Sequence, residues 1–134
     1  MSGYTMTVTI DAEPVEAEAL VRDALQAQGF GILSEIDVEG ALRDKLGEEV
    51  GAYKILGACN PPLAKQAIDI DPDVGALLPC NVLLRANPAG GTDVVAADPH
   101  AMMALGPAAL EDVATDARTR LDAALTALAE GGAA

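Results

Sequence analysis

The arrangement of apolar and polar positions predicts a sheet with helices rather than a helical bundle or an all-strand chain. Tyr4, Met6, Val8 and Ile10 alternate with Thr5, Thr7 and Thr9, the two-residue period of a strand with one face on a core. From Pro14 to Gln28 the period changes to that of a helix. Ala17, Leu20, Val21, Ala24 and Leu25 form one stripe, Pro14 suits the first turn, and Gly29 supplies the stop. A second strand is predicted over Phe30–Val38, with Phe30, Ile32, Ile36 and Val38 on one side and Glu35 and Asp37 on the other. Gly40–Gly47 reads as a short helix and Tyr53–Ala58 as a third strand. Asn60-Pro61-Pro62 ends that strand, because proline offers no donor to a sheet interior.

Pro62–Ile68 is predicted as a further helix, followed by a turn at Asp71-Pro72-Asp73. Cys80–Ala86 and Thr92–Ala97 are strands four and five, joined as a hairpin by Asn87-Pro88-Ala89-Gly90-Gly91. Asp98-Pro99 starts a short helix over His100–Leu105, which Gly106-Pro107 breaks. The last helix carries Leu110, Val113, Ala114, Ala117, Leu121, Ala124, Leu125 and Leu128 on one stripe. Positions 131–134 should fray.

This order, strand, helix, four strands, helix, predicts an α+β fold: a mostly antiparallel five-stranded sheet with the two long helices on one face. A single domain over residues 1–130 accounts for the length. If the other sheet face is also apolar, a second copy in a two-fold dimer is the commonest way to cover it. Half of the residues are apolar, yet only Tyr4, Phe30 and Tyr53 are aromatic, so the core is expected to be aliphatic.

Charge narrows the range of partners. Asp and Glu outnumber Lys and Arg 21 to 8, a formal net charge of −13. Phosphate recognition needs clustered cations, whereas Arg22, Arg43, Lys45, Lys54, Lys65, Arg85, Arg118 and Arg120 are scattered, which argues against nucleic acid and against anionic membranes. The start lacks a basic segment followed by an apolar run, and no stretch is long and apolar enough to span a membrane. The expected location is cytoplasmic, where thiols stay reduced.

Candidate chemistry centres on the only two cysteines, each followed by asparagine: Cys59-Asn60 and Cys80-Asn81. Their spacing is neither a redox Cys-x-x-Cys nor a zinc pattern. If strands three and four are antiparallel neighbours, the end of one lies beside the start of the other and both thiols reach one sheet edge. Cys59 would then sit near a helix start capped by Asn60, a setting that favours a thiolate. Small buried hydrophobes are the ordinary alternative for free cysteines, and metal ligation is a third reading. Asn60 and Asn81 can each present an amide to a ligand or serve as a cap or turn residue.

A second set is Glu35 and Asp37 with Lys45 in reach, for which a solvated strand face is the plainer reading. His100 is expected to be exposed, and Met102 and Met103 to fill gaps under a helix. No glycine run has the spacing of a phosphate or dinucleotide loop.

Ser34-Glu35-Ile36-Asp37-Val38, Ile55-Leu56-Gly57-Ala58-Cys59-Asn60-Pro61 and Leu77-Leu78-Pro79-Cys80-Asn81-Val82, in this order and spacing, resemble domain of unknown function family 302. The resemblance implies a TATA-binding-protein-like α+β fold and a homodimer. It implies no activity and no catalytic residue. The expectation is therefore a dimeric binding or sensor module without cofactor or bound metal, its site for a small ligand lined by Cys59, Asn60, Cys80 and Asn81. The alternative is a thiol protein passing electrons or sulfur through Cys59, with Cys80 as resolving partner.

Overall fold

The alternating threonines of the first segment make β1 (Thr5–Ile10), whose Met6 and Ile10 are buried while Thr7 and Thr9 stay exposed. The structure, a computed structural model, describes residues 3–131; of the predicted frayed tail, positions 132–134 lie outside the described residues. Four further strands follow, β2 (Gly31–Asp37), β3 (Tyr53–Cys59), β4 (Cys80–Ala86) and β5 (Thr92–Ala97). They form one antiparallel sheet in the order β1-β5-β4-β3-β2. The helices are α1 (Pro14–Ala27), α2 (Val38–Leu46), α3 (Pro61–Ile70), α4 (Pro99–Met103) and α5 (Glu111–Ala129), with 3-10 turns at Pro72–Leu77 and Ala108–Leu110. Among the described residues no helix is long and apolar enough to cross a membrane.

The predicted α+β architecture is therefore present, with α1 and α5 on one sheet face. Their stripes bury Val21, Leu25, Leu121 and Leu125 against Leu56, Val82, Leu84 and Val94 of the strands. A second cluster joins α3, the 72–77 turn, α4 and α5 through Leu63, Val74, Met103, Leu110 and Val113. At ~25 cal/mol per Å² of apolar surface, each such side chain contributes roughly 1.5–3 kcal/mol when fully enclosed.

Gly29 is where α1 stops, and its backbone explains why. With φ +86° it takes the left-handed conformation that spares glycine a Cβ clash. Its N–H donates to the Gln26 carbonyl at 3.0 Å and the Phe30 N–H to that of Leu25, also at 3.0 Å, a paired closure of the last helical turn. Phe30 thus belongs to the helix stop and lies just before β2. It is buried against the sheet core rather than placed on a strand face.

The second difference from expectation is a bulge in β2. Ile32 pairs with Ala58 and Ser34 with Gly57, so Leu33 has no place in the ladder and the alternation changes phase there. Beyond it, Glu35 opposes Leu56 and Ile36 opposes Ile55. Leu56 is fully buried, so Glu35 shares the helix-covered face and Ile36, 52% exposed, turns to the open one. The sequence expectation had these two on the reverse faces.

The open face carries one in-register apolar row, Ile36, Ile55, Leu83 and Val95. Beside it Arg85 and Asp93 are cross-strand partners, joined Nη1 to Oδ2 at 2.6 Å. The buried Asp93 carboxylate also accepts from the Asn87 amide at 2.8 Å and the Thr9 hydroxyl at 2.5 Å. Those bonds, helped by Arg85 and opposed by burial, hold its pKa below the ordinary 3.8.

Candidate functional site

The ends of β3 and β4 open onto a cavity of about 270 Å³ at the junction of the two core clusters. Its floor comes from the strands, through Ala58 and Cys80. Its walls come from α3, through Leu63 and Ala64, and from α5, through Val113 and Ala117. Met103 of α4 and Phe30 complete the enclosure, and the exposed Leu33 and Ile68 stand at the rim. Nearly every lining atom is carbon or sulfur. Convergence of an apolar pocket on a few polar atoms is the usual form of a small-molecule site.

Asn60 performs the cap predicted for it. Pro61 and Pro62 have no N–H to satisfy, and the Asn60 Oδ1 accepts the first free amide, that of Leu63, at 3.3 Å. The residue is 8% exposed and lines the cavity. Its Nδ2 lies over Gly29: a methyl group built there would stand 3.0 Å away. The absent side chain of Gly29 is what lets the amide sit against the end of α1.

The structure separates the two cysteines more than the sequence suggested. Cys80 opposes Ala58, not Cys59, and points with Ala58 into the core; strand alternation sets Cys59 to the other side. Both are free, and the thiols are not brought together as a pair. Burial pushes the Cys80 thiol from 9.0 up to about 11, with a lesser long-range push from Cys59. A thiol held protonated in this way is a poor nucleophile and a poor resolving partner. Cys59, half-buried, borders the cavity.

Asn81 does not join the site. It opposes Gly57 and is exposed on the open face, so Cys59, Asn60 and Cys80 line the cavity and Asn81 does not. Gly57 admits a close approach of its own, since a Cβ there would collide with the Ser34 hydroxyl and stand 2.9 Å from Pro79 Cγ.

The second candidate set is also dispersed. Glu35 Oε2 meets Arg22 Nη2 at 2.7 Å and Oε1 meets Lys54 Nζ at 3.2 Å, while Glu18 holds the same two cations at 2.9 Å each. This four-member network ties α1 to β2 and β3. Burial alone would raise the Glu18 carboxyl, but hydrogen bonds from Lys54 and Arg22 outweigh it and hold it below its ordinary value. Asp37 caps α2 by accepting the Gly40 N–H at 3.0 Å. Lys45, expected to reach the two carboxylates, is exposed in the last turn of α2 and pairs with neither; Lys54 takes that role. The bulge accounts for this, because it turns Glu35 toward α1.

His100 is exposed as expected, its Nε2 2.7 Å from the Thr115 hydroxyl oxygen. Among the described residues, no group of three or more His, Cys, Asp or Glu side chains is arranged to hold a metal ion. Sequence reasoning missed Leu63, Ala64, Val113 and Ala117 as cavity residues. Their apolar stripes were visible, but a stripe does not reveal whether it is packed or left facing a void.

Comparison with known proteins supports the same architecture. A family model described as "Domain of unknown function DUF302" matches residues 6–128. The crystal structure of an uncharacterized conserved DUF302 protein from Bacillus stearothermophilus superposes with a TM-score of 0.87 at 26% identity, covering 95% of this chain and 99% of that one. The search of curated proteins returned no match.

Proposed function

The chain belongs to the DUF302 family, for which no activity is assigned, and from the chemistry of its cavity we propose that it is a non-catalytic binding module for a small, largely apolar ligand. The carrying observation is the apolar cavity at the β3 and β4 ends, with the amide of Asn60 at its edge. Thiol chemistry draws no support from this arrangement, because Cys80 is held protonated and is not paired with Cys59. Toluene titration followed by NMR should give saturable shifts at the methyl groups of Leu63, Met103 and Val113. Ala64→Trp, at a half-buried position of α3 that lines the cavity, should plug it and abolish them. Absence of saturation, or shifts indifferent to the plug, would refute the reading.

The module is proposed to work as a homodimer through the open sheet face. Ile36, Ile55, Leu83 and Val95 offer an apolar row, and the charged pair beside it, Arg85 and Asp93, is self-neutralised. On a chain of net charge −13, a face without excess charge is where a second copy can approach. Sedimentation at micromolar concentration should report a dimer that Leu83→Glu converts to monomer; a wild-type monomer would refute this.

A further inference from the structure

We propose that the ligand of the cavity is a single-chain amphiphile, bound tail first, whose polar head stays in water beyond Leu33 and Ile68. The proposal rests on the binding-module reading and adds the chemical class of the ligand and its direction of entry. The interior offers a polar atom nothing to bond. Asn60 is the one side chain of the lining with an amide or a charge, and its Oδ1 is spent on the Leu63 N–H at 3.3 Å. Among the described residues no buried side-chain nitrogen or oxygen lacks a partner. A hydroxyl or carbonyl carried inside would therefore give up its water without replacement, at a cost of about tenfold to a hundredfold in affinity.

The mouth has the opposite character. Leu33 and Ile68 stand there 70% and 45% exposed, so the cavity opens to solvent beside two apolar side chains. Leu33 owes this place to the bulge, which takes it out of the β2 ladder. A tail passing these two residues covers apolar surface on both and leaves its last atoms hydrated. A wholly apolar molecule that fills the cavity scarcely dissolves, and a head group is what carries such a tail through water.

Volume sets the length of the buried part. An apolar cavity of ~150 Å³ accommodates the six carbons of benzene, so about 270 Å³ corresponds to about ten. The empty space continues beyond it. Leu78, Pro79, Cys80 and Met103 line both this cavity and a neighbouring one of about 160 Å³, toward Asn81 and Ala97. Two spaces that share a wall suit a flexible chain better than a compact ring system. The part of the wall able to yield is Met103, unbranched and free to turn about three bonds.

The experiment titrates the protein with straight-chain alkanols from hexanol to dodecanol by calorimetry and NMR. Affinity should rise about fourfold per methylene and level off near decanol. The terminal methyl should lie close to the methyl groups of Met103 and Val113, and the hydroxyl end close to Leu33 and Ile68. The decanediol with a hydroxyl at each end should bind at least about tenfold more weakly than its isomer with both hydroxyls at one end. Met103→Ala, by joining the two spaces, should carry the rise on to dodecanol. Equal binding of the two diols, or an unbroken rise to dodecanol in the wild type, would overturn the tail-first assignment. A folded Met103→Ala that levels off at decanol would overturn the chain assignment; should that variant not fold, the wild-type diol comparison decides alone. Saturable toluene binding without alkanol binding would overturn the proposal and leave the binding-module reading intact, whereas silence of toluene and alkanols alike would refute that reading.

Discussion

Raising the pH should destabilise this protein through a single half-buried thiol. Cys80 is shifted from 9.0 to about 11 by burial in the core. Below both values its thiolate fraction is about a hundredfold smaller than that of an ordinary cysteine, at tenfold per unit. The native chain keeps a proton that the unfolded chain releases, so the stabilisation is fully present below 9.0 and lost as pH rises through about 11. Two units correspond to about 3 kcal/mol. Denaturant midpoints from about pH 8 to about pH 11, measured on the wild type and on Cys80→Ala, isolate this contribution, since tyrosines and lysines titrate in both proteins. The wild type should lose about 2 kcal/mol more than the variant across that window, because only part of the two-unit difference is expressed by about pH 11. Native alkylation near pH 8 read by mass spectrometry should leave Cys80 largely unmodified. Parallel stability curves, or alkylation of Cys80 with a midpoint near 9.0, would refute the reasoning.

The buried carboxylate of the β4–β5 hairpin gives the opposite pH dependence. Its pKa is depressed, so Asp93→Asn should cost about 1–3 kcal/mol near neutrality, and the gap should narrow as pH falls below 3.8; a gap constant with pH would contradict the assignment. Gly29→Ala should lower thermal stability by about 1–2 kcal/mol through left-handed backbone strain and crowding of the Asn60 amide, whereas Gly31→Ala, with nothing within 4 Å of the added carbon, should be far milder. Asn60→Ala should cost about 1 kcal/mol in a melting experiment by uncapping α3, while Asn60→Ser should recover most of it. Equal losses for the two would mean that the cap is not what Asn60 contributes.

The elements were legible where one period dominates: the threonine alternation of β1, the stripes of α1 and α5, and the turn residues after Ala86 all match the structure. The phase change in β2 was not, because a bulge leaves no mark in composition; Leu33 reads as one more strand residue until its partner strand is known. Pairing of Lys54 with Glu35 followed from that phase change and was hidden with it. At the site, the cap at Asn60 was visible from Asn-Pro-Pro alone. The cavity was not, since it depends on how α3, α4 and α5 come to rest against the ends of β3 and β4.

The bulge at Leu33 lets a seven-residue edge strand address three different neighbours. Before it, Ile32 packs into the core; at it, Leu33 leans over the mouth of the cavity; after it, Glu35 grips α1 and Ile36 joins the open apolar row. Were Leu33 taken into the ladder, it would oppose Gly57 and the outer half of β2 would turn over: Glu35 would leave the ion network for the open face, Ile36 would turn inward, and the cavity would lose its rim. Deleting Leu33 instead keeps Ser34 opposite Gly57 and removes only the rim. Register at this point of the chain, rather than residue identity, decides which surface the strand serves.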